Sequence, residues 1–81
     1  MTEKELIIKA LARHYGDKVV FQDHNGLAFD LSGYRFVLWW SHLNLNEILI
    51  EQEGINTFAL ILTPNDLEES VDAVIEFIGG E

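Results

Sequence analysis

The chain has 81 residues, 48% of them hydrophobic and none of them cysteine, which suits one small domain over residues 1–81 and excludes both a disulfide framework and a thiolate metal site. Its formal net charge is −9, from 14 acidic and 5 basic residues. Residues 1–35 balance five acids against Lys4, Lys9, Arg13, Lys18 and Arg35, whereas residues 36–81 hold nine acids and no lysine or arginine. Direct binding to nucleic acid or to an anionic membrane is disfavoured, because basic side chains are what neutralise phosphate and release counterions. A protein partner with a basic surface is compatible.

The stretch "TEKELIIKALARHYG" (2–16) predicts a helix. Thr2 and Glu5 make a capping box, Gly16 closes the end, and Ile8, Leu11, Ala12 and Tyr15 share a face with Ile7 beside them. The charged residues of this N-terminal stretch rule out a signal peptide's apolar core, and no apolar run approaches the roughly 20 residues that span a bilayer. The expectation is a soluble, cytoplasmic protein.

"VVFQDHNGLAFDLSGYRFVLWW" (19–40) reads as two hairpins. A turn at Asn25-Gly26 would set Phe21 against Asp30. A three-residue loop, His24 to Gly26 with Gly26 left-handed, instead pairs Phe21 with Phe29 and Val19 with Leu31, and brings the large apolar groups together. A two-residue Ser32-Gly33 turn then pairs Leu31 with Tyr34, Phe29 with Phe36 and Leu27 with Leu38. Trp40 falls on this apolar face. Its neighbour Trp39 falls on the other, with Val37, Arg35, Ala28, Gln22 and Val20, because successive strand side chains point to opposite sides.

Residues 45–53 combine the alternation of a strand with a helical spacing of Leu45, Ile48 and Leu49. Glu51 and Glu53 would oppose a helix dipole at its C-terminal end, which favours the strand. "TFALILT" (57–63) is a strand with apolar groups on both sides, the pattern of a central position. In "TPNDLEESVDAVIEFIGG" (63–80), Thr63 as cap, Pro64 in first helical position and Gly79 as terminator bound a helix. Its apolar stripe runs through Leu67, Val71, Val74, Ile75 and Ile78, leaving Glu68, Glu69, Asp72 and Glu76 on an acidic outer face. The helix dipole alone would favour acids in the first turn. The expected fold is α+β: a two-layer sandwich with an N-terminal helix, an antiparallel sheet of four or five strands, and a C-terminal helix.

No stretch carries a catalytic, cofactor or metal signature. His14, His24 and His42 lack ligand spacing, and the glycines form neither a dinucleotide fingerprint nor a phosphate loop. The acids from Asp66 to Asp72 lack the calcium-loop glycine. Small size, acidity and Ser70 beside Glu69 resemble an acyl carrier protein, but carriers are helical bundles with their serine at a helix start. The expectation is therefore a non-enzymatic protein-binding module without cofactor. In size and acidity the chain resembles phage-encoded inhibitors that mimic nucleic acid or otherwise occlude nucleases and CRISPR effectors, and the resemblance implies occlusion of a basic surface. The alternative is a self-associating domain, such as a homodimer, or a small subunit that uses the open sheet face around Trp39. Candidate partner-binding residues are Glu68, Glu69, Asp72 and Glu76 on the last helix, Glu47, Glu51 and Glu53, and Trp39, Val37 and Arg35.

Overall fold

A computed structural model describes residues 3–42, 46–62 and 66–79. The elements follow in the order α1 (Glu3–Tyr15), a 3-10 turn (Gly16–Lys18), β1 (Val19–Gln22), β2 (Gly26–Leu31), β3 (Tyr34–Trp40), β4 (Glu47–Gln52), β5 (Asn56–Ile61) and α2 (Leu67–Gly79). The five strands form one antiparallel sheet in sequence order, and the two helices pack against each other. The α+β sandwich expected from the sequence is the observed fold.

The core lies between the helices and one sheet face. Ile7, Ile8, Leu11 and Tyr15 of α1 and Val74 and Ile78 of α2 close over Leu27, Phe29, Phe36, Leu38, Trp40, Ile48 and Ile50. Tyr15 stacks on Phe29 at 3.8 Å between ring centroids, and Phe29 in turn on Phe36 at 5.6 Å. Burial pushes the Tyr15 phenol up from its ordinary pKa. Gly16, at φ +56°, supplies the left-handed residue that ends α1.

The β2–β3 hairpin has the expected register throughout, from Gly26 opposite Trp39 to Leu31 opposite Tyr34. Ser32 and Gly33 both have positive φ (54° and 82°), the mirror-image turn that matches strand twist. Residues 47–52 are a strand, as the acids before Gly54 suggested.

Three expectations change. The first hairpin closes on a two-residue His24–Asn25 loop, with the Asp23 N–H donating to the Gly26 carbonyl (3.0 Å). Gly26 is not left-handed but lies in β2, where a Cβ would stand 2.9 Å from the Leu38 carbonyl oxygen, so close backbone approach is what demands glycine. A bulge between Val19 and Phe21 then sets Val19 opposite Phe29, Phe21 opposite Ala28 and Gln22 opposite Leu27. Phe21 thereby moves to the open face, while Gln22 joins Ile8 and Lys9 on the helix side.

β5 is not central but outermost: Phe58, Ala59 and Ile61 are exposed, and Leu60 is half-buried against the core. In α2 the buried line runs through Ser70, Val74 and Ile78, with Val71 and Ile75 half-buried and Leu67 exposed. A small serine, not a leucine, faces the core near the helix start. Thr2, Leu45, Thr63 and Pro64 lie outside the described residues. The described cap of α2 is Asp66, whose carboxylate Oδ1 accepts the Glu69 N–H (3.1 Å), and Gly79 is the last residue of the helix.

Candidate functional site

Both helices lie on one side of the sheet, and among the described residues nothing covers the other. That surface is built by the pleat. Trp39 stands opposite Gly26 on one side and Leu49 on the other, and Leu49 stands opposite Ala59, which makes one cross-strand row. The next row is Phe21, Ala28, Val37, Glu51 and Thr57. Glu47 pairs with Ile61 at one border, and Asp30 pairs with Arg35 at the other.

The arrangement is an apolar centre with a charged edge. Phe21 is 56% exposed and Ile61 59%, while Trp39, Val37 and Leu49 are half-buried by their neighbours on the pleat. Surface of this kind, apolar across several strands and bordered by carboxylates, has the anatomy of a protein-binding face. Glu47 and Glu51 flank Leu49 on the same strand, about 13 Å apart at the ordinary rise of a strand.

Arg35 holds Asp30 through two hydrogen bonds, Nε to Oδ1 (2.8 Å) and Nη2 to Oδ2 (3.2 Å). The hydrogen bond from Arg35 lowers the Asp30 pKa and the same bond raises that of Arg35. Glu53 adds a favourable charge beside Arg35, and its N–H donates to the Arg35 carbonyl (2.8 Å). Among the described residues of this face the one cation, Arg35, is thus already matched by acids, and the face presents net negative charge.

Glu47, Glu51, Trp39, Val37 and Arg35 therefore come together, with Glu53 at their border. Glu68, Glu69, Asp72 and Glu76 are all exposed, but on α2, in the opposite layer. The ten residues named from the sequence form two separate patches. Phe21, Leu49 and Ile61 are members of the open face that sequence reasoning missed. The signal for Ile61 was present, since it alternates with Leu60 and Leu62. That for Phe21 was hidden by the bulge.

Trp40 is the counterpart of Trp39 on the covered side, 7% exposed. The Lys4 ammonium sits 5.3 Å from its ring centroid, a cation–π contact. Its indole Nε1 is buried and has no hydrogen-bond partner among the described residues.

His24 Nδ1 lies 2.7 Å from Asp23 Oδ1 in the exposed first loop, and His14 packs edge-on against Tyr15. A cleft of about 560 Å³ at one end of the sandwich is bounded by Leu31, Tyr34, Phe36, Phe58, Phe77 and Ile78, with Ser32 and Gln52 as its polar groups. The described residues contain no group of three His, Cys, Asp or Glu that could hold a metal ion. No described helix is long and apolar enough to cross a membrane. No family model matches the chain, and neither a curated protein nor a solved structure matches it.

Proposed function

We propose that this protein is a binding module that seats the open sheet face on a partner protein with a basic surface around an apolar pocket. The reading rests on one observation: Trp39, Val37, Phe21 and Leu49 share a single uncovered face with Glu47 and Glu51. An indole combines large apolar area with few rotamers, the profile of a binding anchor, and the carboxylates would steer and orient a cationic rim. In its most concrete form the module is an inhibitor that occludes the basic, nucleic-acid-binding surface of a nuclease or CRISPR effector. The concentration of nine acids and no lysine or arginine in residues 36–81 supports that form.

The test is affinity capture from a lysate with the bound protein identified, followed by titration of that protein against variants. Trp39→Ala should weaken binding by about 30-fold, the scale of a hot-spot residue. Joint replacement of Glu47 and Glu51 by Gln should weaken it further and flatten its decline with ionic strength. Replacing Glu68, Glu69, Asp72 and Glu76 together by their neutral amides should change affinity little. Loss of binding in the helix variant alone would move the working surface to α2. Binding by all three variants at full affinity would end the proposal.

A further inference from the structure

The two edges of the sheet are unlike. β1 is four residues long and bulged, both of which blunt an edge against pairing. β5 is six residues in unbroken register with β4, and residues 55–65 contain no charged side chain although acids stand on both sides of them in the sequence. The Leu62 N–H donates to Asn46 on the β4 side (2.8 Å), so by strict alternation Leu60, Phe58 and Asn56 also turn their backbone groups inward. Thr57, Ala59 and Ile61 turn theirs outward. The Thr57 N–H is occupied by the Asn56 side-chain oxygen (3.1 Å), which leaves those of Ala59 and Ile61 facing outward with no described strand beyond them.

We infer that β5 is a self-pairing edge, on which a second copy of this chain adds its own β5 antiparallel about a two-fold axis at Ala59. The register is fixed by which groups point outward. Ala59 meets Ala59 of the second copy as a full hydrogen-bonded pair, and Ile61 meets Thr57, where the Ile61 N–H donates to the Thr57 carbonyl while the Thr57 N–H keeps its Asn56 partner. On the helix side Phe58 then faces Leu60, an aromatic–branched pair of the kind that stabilises a ladder. The smallest side chain of the strand lies at the axis, where two copies approach most closely.

Charge permits this contact and opposes the obvious alternative. Two copies stacked open face to open face would bring Glu47 and Glu51 of each against those of the other. In the edge pairing Glu47 lies beside Ile61, and the second copy's Glu51 lies beside the Thr57 that Ile61 meets. Three strand spacings, about 14 Å, separate these carboxylates, more than the screening length of about 8 Å at physiological salt. The row Trp39, Leu49, Ala59 would continue through the axis into its own mirror, doubling the open face on one ten-stranded sheet. Strand pairing of this length buries less than a standard interface, so the dimer should form in the micromolar to millimolar range. Because the copies repel at long range, salt should strengthen it, opposite to its effect on a basic partner.

Sedimentation equilibrium from about 10 μM to 1 mM, at low salt and at about 0.5 M salt, reads the dimer directly. Ala59→Pro removes an outward N–H from both copies without touching the β4 ladder, and should raise the dissociation constant at least about tenfold with an unchanged circular dichroism spectrum. Since the chain has no cysteine, single-cysteine variants report the register even if the proline variant fails to fold. Ala59→Cys should cross-link to itself under mild oxidation, its Cα atoms about 5.5 Å apart, whereas Thr57→Cys should not. A protein monomeric throughout that range, a dimer that Ala59→Pro leaves intact, or cross-linking of Thr57→Cys and not Ala59→Cys would each overturn the inference. None of these outcomes bears on capture of a basic partner by the open face.

Discussion

Trp39 and Trp40 are chain neighbours of identical chemistry with opposite surroundings, and the two sides of the sheet differ as they do. On the helix side, Phe29, Leu38 and Ile48 are 0% exposed, and seven sheet residues meet six from the helices in one continuous cluster. On the open side Ala28 is buried because it is small and sits between larger neighbours on the pleat, while Trp39, Val37 and Leu49 are half-buried and Phe21 and Ile61 exposed. Yet the open side is still rich in Phe, Val, Trp, Leu and Ile, residues that solubility would replace by Thr, Lys or Glu. The difference teaches that one apolar side of the sheet is covered by the helices and the other is not, and it is on that uncovered apolar content that the proposed binding face rests.

Core substitutions should show the largest effects and so give the sharpest contrast between the faces. Phe29→Ala removes a ring stacked between Tyr15 and Phe36 and should cost about 3–5 kcal/mol, enough to unfold much of so small a domain. Trp40→Ala should fall in the same range. Trp40→Phe should cost much less, since the N–H it deletes is buried without a described partner. Trp39→Ala should cost clearly less than Trp40→Ala, because Trp39 is only half-buried where Trp40 is buried. Urea titrations of the four variants test this ordering. A Trp39→Ala loss as large as that of Trp40→Ala, in a protein shown to be monomeric, would mean that the open face is part of the core after all.

A smaller effect is expected where the two faces meet in one backbone. Gly26 passes so close to β3 that an added Cβ would lie 2.9 Å from the Leu38 carbonyl oxygen, a backbone atom that cannot swing aside. Gly26→Ala should therefore cost about 1–3 kcal/mol, by the precedent of overpacking. It should also disturb the amide signals of Leu38 and Trp39 before those of β4. A neutral Gly26→Ala would show that the strands can part there without loss, and with it would go close approach as the reason for glycine at this position.

How far the sequence could be read follows from the same geometry. The β2–β3 register was legible because a two-residue turn at Ser32-Gly33 sets Leu27, Phe29 and Leu31 opposite Leu38, Phe36 and Tyr34, after which alternation places every side chain of the two strands, including Trp39 and Trp40. The β1 register was not, because one extra residue in a strand leaves no mark in composition. Matching large apolar groups favoured Phe21 against Phe29, whereas the hairpin closes on a two-residue loop and the bulge returns Val19 to the core side. β5 was misplaced for a related reason: apolar residues on both sides of a strand mark a central position only when both sides are covered, and here the strand is outermost and one side is open, so Ala59 and Ile61 are exposed while Leu60 packs on the core. The acidic residues were legible as residues, but their division between the open face and α2 depends on which side the helices pack, which no local pattern carries.

The smallest effect expected lies at the border of the open face, in the Asp30–Arg35 pair. Both groups are exposed, so the pair is screened and its contribution is slight. Its sign with pH is nevertheless fixed. The Arg35 hydrogen bond holds the Asp30 carboxyl below its ordinary pKa in the folded protein, so the pair's stabilisation is complete above the ordinary carboxylate value and is lost as pH falls through the lowered one. Arg35, raised by the same contact, stays charged throughout. Wild type should thus melt slightly above Asp30→Asn at pH 7, and the gap should close on acidification from about pH 4 downward and shrink in high salt. Paired thermal melts at neutral and acid pH, each at two ionic strengths, measure the gap. If it persists in acid and in salt, Asp30 acts through the shape of the hairpin rather than its charge, and Arg35 would then be a cation free to meet a partner instead of one already matched within the face.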